Sequence, residues 1–550
     1  VRKARHTPPT AANGPQARSL WPAGPSTFWP ALASALLVWA SLPPVDAWPL
    51  AWVAPVAWIL LIRRPTLPGR RPYAVLWLVG FLFWMAVLHW LRLPHWATSF
   101  GWLALSWYLA FYLPLFVGLS RIAVHRLGVS VVVAAPIVYA GLELARAHML
   151  TGFSMAALGH TQYRWTAVVQ IADLGGEYAV DFLVMLVAAC VGRMLPCADR
   201  RWAAWPLVPA TLALAAAVTY GTVRAGYEPS TPGPRVALIQ GSIDTELKFD
   251  PQRELEVHAH YIDLTRRALA AYPNLDLVVW PETMYRGGLV TFAPDATQPK
   301  DWEGSAEAFA RLGPASRDAL GSIARACRTP VVLGVDTSHC QRDRVLRYNS
   351  AAFLDRDGNL LARYDKVHPV LFGEYVPLAD RYPWLARLTP LGSTLAHGAG
   401  PVSFTLGKVR LAPDICYETV LSHLIRDQVN RLAAAGQTPD VLLNLTNDGW
   451  FWGSSELDLH LMCGVFRAIE CRRPLLIAAN TGFSAWIDSN GRIVKQGPRR
   501  APATLLAEVR LDGRPSPYLA YGDIPSGGCL LACCLLAAWG LRRKPLQSRE

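Results

Sequence analysis

Three residues each close a β-like run with a side chain suited to acyl chemistry: Glu282 after LVVWP, Lys366 after ARYD and Cys416 after VRLAPDI. Cys416 lies in LAPDICYET (411–419), where a short apolar run gives way to a helical pattern. That pattern predicts a strand ending in a tight turn, with a thiol at its tip. Backbone N–H groups at the start of a following helix favour the thiolate of such a cysteine. A carboxylate within hydrogen-bond reach could take the thiol proton. An ammonium beside it, with a backbone N–H such as that of Tyr417, could hold the oxyanion of a tetrahedral intermediate and draw the thiol toward its ionised form. Strand ends on one edge of an α/β sheet are where residues distant in sequence meet. On spacing alone the plain alternative stays open, since a lone cysteine at a strand end is an ordinary packing residue.

The rest of the chain must carry these residues, and its composition is unusual. Of 550 residues, 52% are hydrophobic and 17% charged, with 22 Trp, which is too apolar for an ordinary soluble enzyme. A membrane helix needs roughly 20 mainly apolar residues. Seven candidate spans precede the polar region, at about 26–42, 48–62, 73–91, 100–122, 128–145, 178–195 and 203–222, and an eighth follows at about 524–541. The organisation expected is a disordered cytoplasmic tail (1–27), a transmembrane domain of seven helices (28–222), a globular α/β domain (235–515), a C-terminal transmembrane helix (524–541) and a cytoplasmic tail (542–550). The first apolar segment reads as an uncleaved anchor, because more spans follow it. Residues 149–175 read as an amphipathic interfacial or re-entrant segment lining a lipid-accessible cavity.

Arg2, Lys3, Arg5, Arg63, Arg64, Arg70, Arg71, Arg121, Arg126, Arg193, Arg200, Arg201, Arg542, Arg543 and Lys544 all fall on one side if there are eight spans. The positive-inside rule then places both termini in the cytoplasm and residues 223–523 outside. The net charge of +13 is explained by this topology, and no basic stripe with interleaved aromatics argues for nucleic acid. In the polar region strands alternate with helices and a hairpin turns at Arg356-Asp357-Gly358, a pattern of an α/β sandwich. No glycine-rich phosphate loop follows a strand, so no nucleotide cofactor is expected. The ten cysteines show no zinc-type spacing. Cys190, Cys529, Cys533 and Cys534 read as packing residues, and Cys327 and Cys340 could form a disulfide in an oxidising compartment.

The motifs around the three residues carry a resemblance. WPET at Glu282, YDK-x-H-x-V-x-F-GEYVP from Tyr364 to Pro377, and CYE from Cys416 to Glu418 resemble the Glu–Lys–Cys motifs of the nitrilase superfamily. With the membrane spans, and with TGF-x-M-x-x-LGH (151–160), IQGSID-x-x-LK (239–248), NLTNDGWF (444–451) and HLMCGVFRAIECRRPLLIAANTGFSAWID (460–488), the chain is similar to the apolipoprotein N-acyltransferase family. The resemblance implies about eight transmembrane helices and an extracytoplasmic nitrilase-like αββα sandwich in the bacterial inner membrane. It implies Glu282 as general base, Cys416 as nucleophile and Lys366 as oxyanion holder. Glu374 would be a further essential carboxylate, and Tyr417 and Glu418 would shape the pocket. The acyl donor implied is a phospholipid, phosphatidylethanolamine. The acceptor is a diacylated apolipoprotein, reached through a thioester without metal or cofactor.

The chain departs from the family pattern at Phe249, Ser154, Met155, Ile477 and Gly449, positions that bear on chain or headgroup preference. Asn447 and Asp448 read as a turn that could position a lid carrying Trp450 and Phe451. His460, Cys463 and Cys471 read as structural, and Glu143 with Arg146 as an interfacial pair. Two alternatives stand: a membrane-anchored amidase or an N-acyltransferase with a different amine acceptor, and a receptor or transporter with a catalytically dead outer domain. The second predicts charges deep within the spans.

Overall fold

A computed structural model describes residues 26–542 except 198–201, 245–247, 249, 299–303, 343, 377, 379–380, 383 and 385–393. Most of the two expected tails, and Phe249, therefore lie outside the described residues.

Helices stand at all eight apolar runs. Three stretches, Thr98–Leu127, Val131–Thr151 and Leu207–Ala225, are long and apolar enough to cross a membrane. The others are shorter or more polar. Phe28–Ser41 has 14 residues, roughly 21 Å at 1.5 Å per residue, against a hydrocarbon core of about 30 Å. The second run is divided into a 3-10 turn, Trp48–Trp52, and a helix of eight residues, Val56–Arg63. Glu177–Met194 carries Glu177, Asp181 and Arg193. Trp29, Leu36, Trp107, Leu212, Leu535 and Trp539 are exposed, so the bundle presents an apolar outer surface of the kind that faces lipid.

Thirteen strands among the described residues build the polar domain: β1 (Thr231–Gln240), β2 (Leu277–Val279), β3 (Tyr285–Phe292), β4 (Val331–Cys340), β5 (Val345–Leu354), β6 (Leu360–Asp365), β7 (Phe404–Leu406), β8 (Val409–Ile415), β9 (Val441–Thr446), β10 (Leu475–Ala479), β11 (Ala485–Ile487), β12 (Ile493–Gln496) and β13 (Ala503–Leu511). One sheet has the order β13-β1-β2-β4-β5-β6, with β3 also on β4; the other runs β12-β11-β10-β9-β8-β7. Alternate residues of the two sheets face each other in one apolar layer: Val236, Leu238 and Phe353 on one side, Leu411, Leu443 and Leu476 on the other. The outer face of the first sheet packs on helices Glu254–Ala271 and Ala306–Cys327 through Ile239, Tyr261 and Leu320. The outer face of the second meets helices Ser422–Ala434 and Glu456–Cys471. This is the expected αββα sandwich. Strands β3, β7 and β12 are additional to the sequence reading, because they are short or interrupted by glycine.

One irregularity matters for the site. β2 and β3 both pair with β4 in parallel, β2 at Val331–Val332 and β3 from Val335 to Cys340. The chain leaves the sheet between them, and Glu282 sits in that break. Gly334 of β4 lies beneath it: a Cβ there would stand 2.1 Å from the Pro281 carbonyl oxygen and 2.7 Å from the Glu282 Cα. Bringing backbone this close requires glycine.

The sandwich is bolted to the membrane bundle through residues 152–177, which are mostly buried rather than interfacial as expected. Arg467 is fully buried, donating to Glu177 at 3.0 Å and to the Val420 carbonyl at 2.9 Å. Arg472, equally buried, pairs with Asp173 and donates to the Gln170 side-chain oxygen. Gln170 in turn donates to the Asn490 carbonyl. These contacts consume the polar face that made the segment look amphipathic. Glu143 and Arg146 do pair, but inside the protein, with the guanidinium over Trp84 and Phe153. Cys327 and Cys340 are free thiols.

Gly334→Ala is expected to force backbone apart under Glu282, costing about 1–3 kcal/mol as an overpacked site. Thermal unfolding in detergent should show a clear fall in Tm, while Gly513→Ala, with open space around its Cβ, should leave Tm unchanged.

Candidate active site

Cys416, Glu282 and Lys366 come from different strands because parallel strands end on the same edge. β8, β9 and β10 run parallel, so Cys416, Asn447 and Asn480 follow their C-terminal ends side by side. β2, β4 and β6 share one direction in the other sheet, β6 by way of two antiparallel pairings. Their C-terminal ends deliver Glu282 and Lys366 to one place.

Cys416 begins a 3-10 turn with φ 54°, a left-handed conformation that a residue with a side chain adopts at a cost. Its carbonyl oxygen accepts from Asn444 Nδ2 at 3.2 Å and lies 3.2 Å from His460 Nε2. These bonds hold the strained turn.

Lys366 is almost fully buried, with its Nζ donating to Glu374 Oε1 at 2.9 Å and standing 3.6 Å from Glu282 Oε1. Burial opposes its charge, but the Glu374 and Glu282 carboxylates outweigh burial and hold it protonated above the ordinary lysine range. Glu282 accepts from Asn349 Nδ2 at 2.6 Å and from the Asn447 backbone N–H at 2.9 Å. Burial raises its pKa, Lys366 opposes and Glu374 adds, so the net shift is upward, toward what a base near neutral pH needs.

Of the two influences read from the sequence, a setting that favours the thiolate and a carboxylate that takes the proton, the surroundings of Cys416 fit the second. Burial first, then the Glu282 carboxylate, push the Cys416 thiol well above its ordinary value, and Lys366 recovers only part of this. The helix-start argument fails because a strained 3-10 turn, not an α-helix, follows the thiol. The resting thiol is neutral and depends on a base.

The supporting residues divide. Glu374 is at the centre: besides Lys366 it accepts from Asn349 Nδ2 and the Val370 N–H. Glu418 does not line the thiol. Its carboxylate gathers the N–H groups of Ile415, Val367 and His368 and the Tyr364 hydroxyl, locking the Lys366 loop to the Cys416 turn. Tyr417 points to the bundle, donating to the Gly152 carbonyl at 2.9 Å. Asn447 holds Glu282 and accepts from Asn480 Nδ2. Trp450 lies half-buried in the turn Asp448–Phe451, and Phe451 packs edge-on against Trp90 of the bundle at 4.9 Å. That loop is docked on the bundle instead of standing free as a lid.

Asn349 escaped the sequence reading, and Lys248 entered it only as the last residue of the 239–248 motif. Asn349 touches both carboxylates and its carbonyl accepts from the Lys366 N–H. The signal was an asparagine inside an apolar strand, where that residue type is depleted. Lys248 is buried with its ammonium on Thr283 Oγ1, and burial brings its pKa down to about 8 against the pull of Asp336 and Glu282.

A thiol on a strained turn, a buried carboxylate and a buried ammonium meet at the edge of an αββα sandwich, the architecture of the carbon-nitrogen hydrolase class, and residues 235–514 match the carbon-nitrogen hydrolase family model. Residues 34–190 match the apolipoprotein N-acyltransferase N-terminal domain. The chain is 32% identical to an apolipoprotein N-acyltransferase of Rhodopirellula baltica over 93% of this chain and 97% of that one. It is 34% identical to one of Geobacter metallireducens over 94% and 95%. An amidase of the nitrilase superfamily from Nesterenkonia aligns with 52% of this chain and 93% of its own, at 20% identity and a TM-score of 0.35. The chain belongs to the apolipoprotein N-acyltransferase family, and is a membrane protein.

In Glu374→Gln the largest charge holding the Lys366 proton is gone while burial remains. Lys366 should then deprotonate at lower pH, moving the alkaline limb of kcat/KM downward. An unmoved limb removes this role from Glu374. In the parent protein the acid limb should lie above the ordinary glutamate range, because Glu282 must be ionised to act.

Proposed function

We propose that the enzyme transfers an acyl chain from a membrane phospholipid, phosphatidylethanolamine, to the α-amine of an S-diacylglyceryl cysteine that begins an apolipoprotein. The observation that supports this reading is the bond from Tyr417 to Gly152, which ties the residue after the thiol to the apolar helical bundle; a thiol held there suits an acyl donor drawn from a bilayer. An amidase acting on soluble substrates has no use for that attachment.

Glu282 takes the Cys416 proton as sulfur attacks the donor ester carbonyl. Lys366 Nζ, with the Tyr417 N–H, stabilises the oxyanion. The C–O bond breaks, the proton passes from Glu282 to the departing lysophospholipid hydroxyl, and a thioester remains. The acceptor amine then attacks the thioester, Glu282 takes the amine proton, the C–S bond breaks and the proton returns to sulfur. The two half-reactions use one base and one oxyanion site, as a ping-pong sequence requires. Glu374 and Asn349 keep Lys366 and Glu282 apart and oriented. Asn447, Glu418 and Trp450 support the walls. Exchange of the acceptor for another amine is the second reading, since the first half-reaction is common to both.

In the bilayer, seven helices between residues 28 and 222 and one at 524–541 cross, with the shorter ones tilted little and matched by local thinning. Both termini are cytoplasmic and the sandwich is periplasmic in a bacterial inner membrane.

Incubation with phosphatidylethanolamine carrying a labelled acyl chain, without acceptor, should leave label on Cys416 that hydroxylamine releases. Cys416→Ser should abolish thioester formation and lower transfer to a diacylated lipopeptide by at least about 10³-fold, the scale of losing a nucleophile. Full transfer by Cys416→Ser would overturn the mechanism. For topology, a membrane-impermeant thiol reagent applied to intact spheroplasts should label Val494→Cys but not Arg71→Cys, and the reverse pattern would overturn the orientation.

A further inference from the structure

Asp448, Glu456 and His460 converge next to the nucleophile. Each is buried, and each offers a ligand atom within 4.8 Å of those of the other two. Asp448 opens the turn after β9, while Glu456 and His460 are four residues apart on helix Glu456–Cys471 and so share one face. Asp448 Oδ1 accepts from Thr446 Oγ1 at 2.8 Å and lies 3.2 Å from His460 Nδ1.

Two features single this cluster out. The first is Glu456, 3% exposed, whose Oε2 has no hydrogen-bond partner although it is buried beside a second carboxylate. Among the described residues, the ion-pair partner of Asp448 is His460, and no Lys or Arg comes within ion-pair distance of Asp448 or Glu456. A buried carboxyl oxygen without a partner, beside a second carboxylate and an imidazole nitrogen, is a donor atom left open for a cation. The second is the setting of His460. Its Nε2 faces the Cys416 carbonyl, which can only accept, so Nε2 carries a proton and Nδ1 is the nitrogen turned to the carboxylates. A metal-bound imidazole has this arrangement, with its remote N–H given to a backbone carbonyl.

We propose that Asp448, Glu456 and His460 form a binding site for a first-row divalent cation of the Zn²⁺ class, which braces the backbone of Cys416 through His460. Two carboxylates and one imidazole are a donor set that zinc accepts, and they neutralise its charge. The cation touches no substrate and takes no part in proton or acyl transfer. It fixes the His460 ring, and the ring's N–H fixes the carbonyl of a residue held at φ 54°. The three residues are therefore positioning residues. The site is independent of the acyl-transfer reading, because it is read by binding and not by turnover. The sequence reading missed it because a search for Cys/His spacing does not see a site whose third ligand comes from another strand end.

The test uses the tag-free full-length protein in detergent, stripped with a chelator, dialysed and titrated with Co²⁺ and then Zn²⁺. One Co²⁺ should bind per chain, with visible ligand-field bands and none of the near-ultraviolet charge transfer that thiolate ligation produces. Zn²⁺ should displace it and raise Tm. Glu456→Gln and Asp448→Asn should each weaken Co²⁺ binding by at least about tenfold. Folded wild-type protein that binds no Co²⁺ would overturn the site whatever the variants do. So would a spectrum dominated by thiolate charge transfer, or stoichiometric binding that survives both substitutions.

Discussion

A lysine taken out of water keeps its proton firmly only if carboxylates come with it, and the catalytic domain is arranged around that requirement at Lys366. Lys366 is buried at the meeting of two sheets. Glu374 answers its charge at hydrogen-bond distance and Glu282 at 3.6 Å. Because Glu374 takes the direct contact, Glu282 is left with one oxygen on Asn349 and the other on the Asn447 N–H, positioned by neutral donors. This separation leaves one carboxylate anchoring the cation and the other free for the proton exchange proposed for it. The break between β2 and β3, Gly334 beneath it and Asn349 across from it exist to put Glu282 there.

The same low-dielectric surroundings explain why the thiol is neutral at rest. Walls that make Lys366 a strong oxyanion partner also penalise a free thiolate, and Glu282 adds a like charge. In the proposed mechanism the thiol is therefore activated by Glu282 at the moment of attack instead of being held ionised. A thiol kept protonated in a membrane enzyme is also protected from adventitious oxidation, since the thiolate is the reactive form.

Buried arginines set the relation of the sandwich to the bundle. Arg467 and Arg472 reach from the sandwich to Glu177 and Asp173 in places with no solvent, where removing one partner leaves an uncompensated charge. Such contacts specify a single docking geometry. Glu418 and Tyr417 extend it to the site, one tying the Lys366 loop to the Cys416 turn and the other tying that turn to Gly152. Residues that a motif reading treats as pocket walls are here the links between a membrane domain and a reacting thiol.

Residue types and local periodicity are properties of the chain, and they sufficed for the apolar segments, the alternation of strands and helices and the Glu282, Lys366 and Cys416 triad at strand ends. Burial, partners and protonation depend on what folds against a residue, and those only the tertiary structure decided. Asn349 reads as a strand residue until β5 lies across from Glu282. His460 reads as an ordinary helix residue until β8 and β9 bring Cys416 and Asp448 to it. Residues 149–175 look amphipathic because their polar side chains await partners some 300 positions away, as with Asp173 and Arg472, separated by 299. A sequence displays which side chains need a partner; only the packing of distant segments says which partner each one finds.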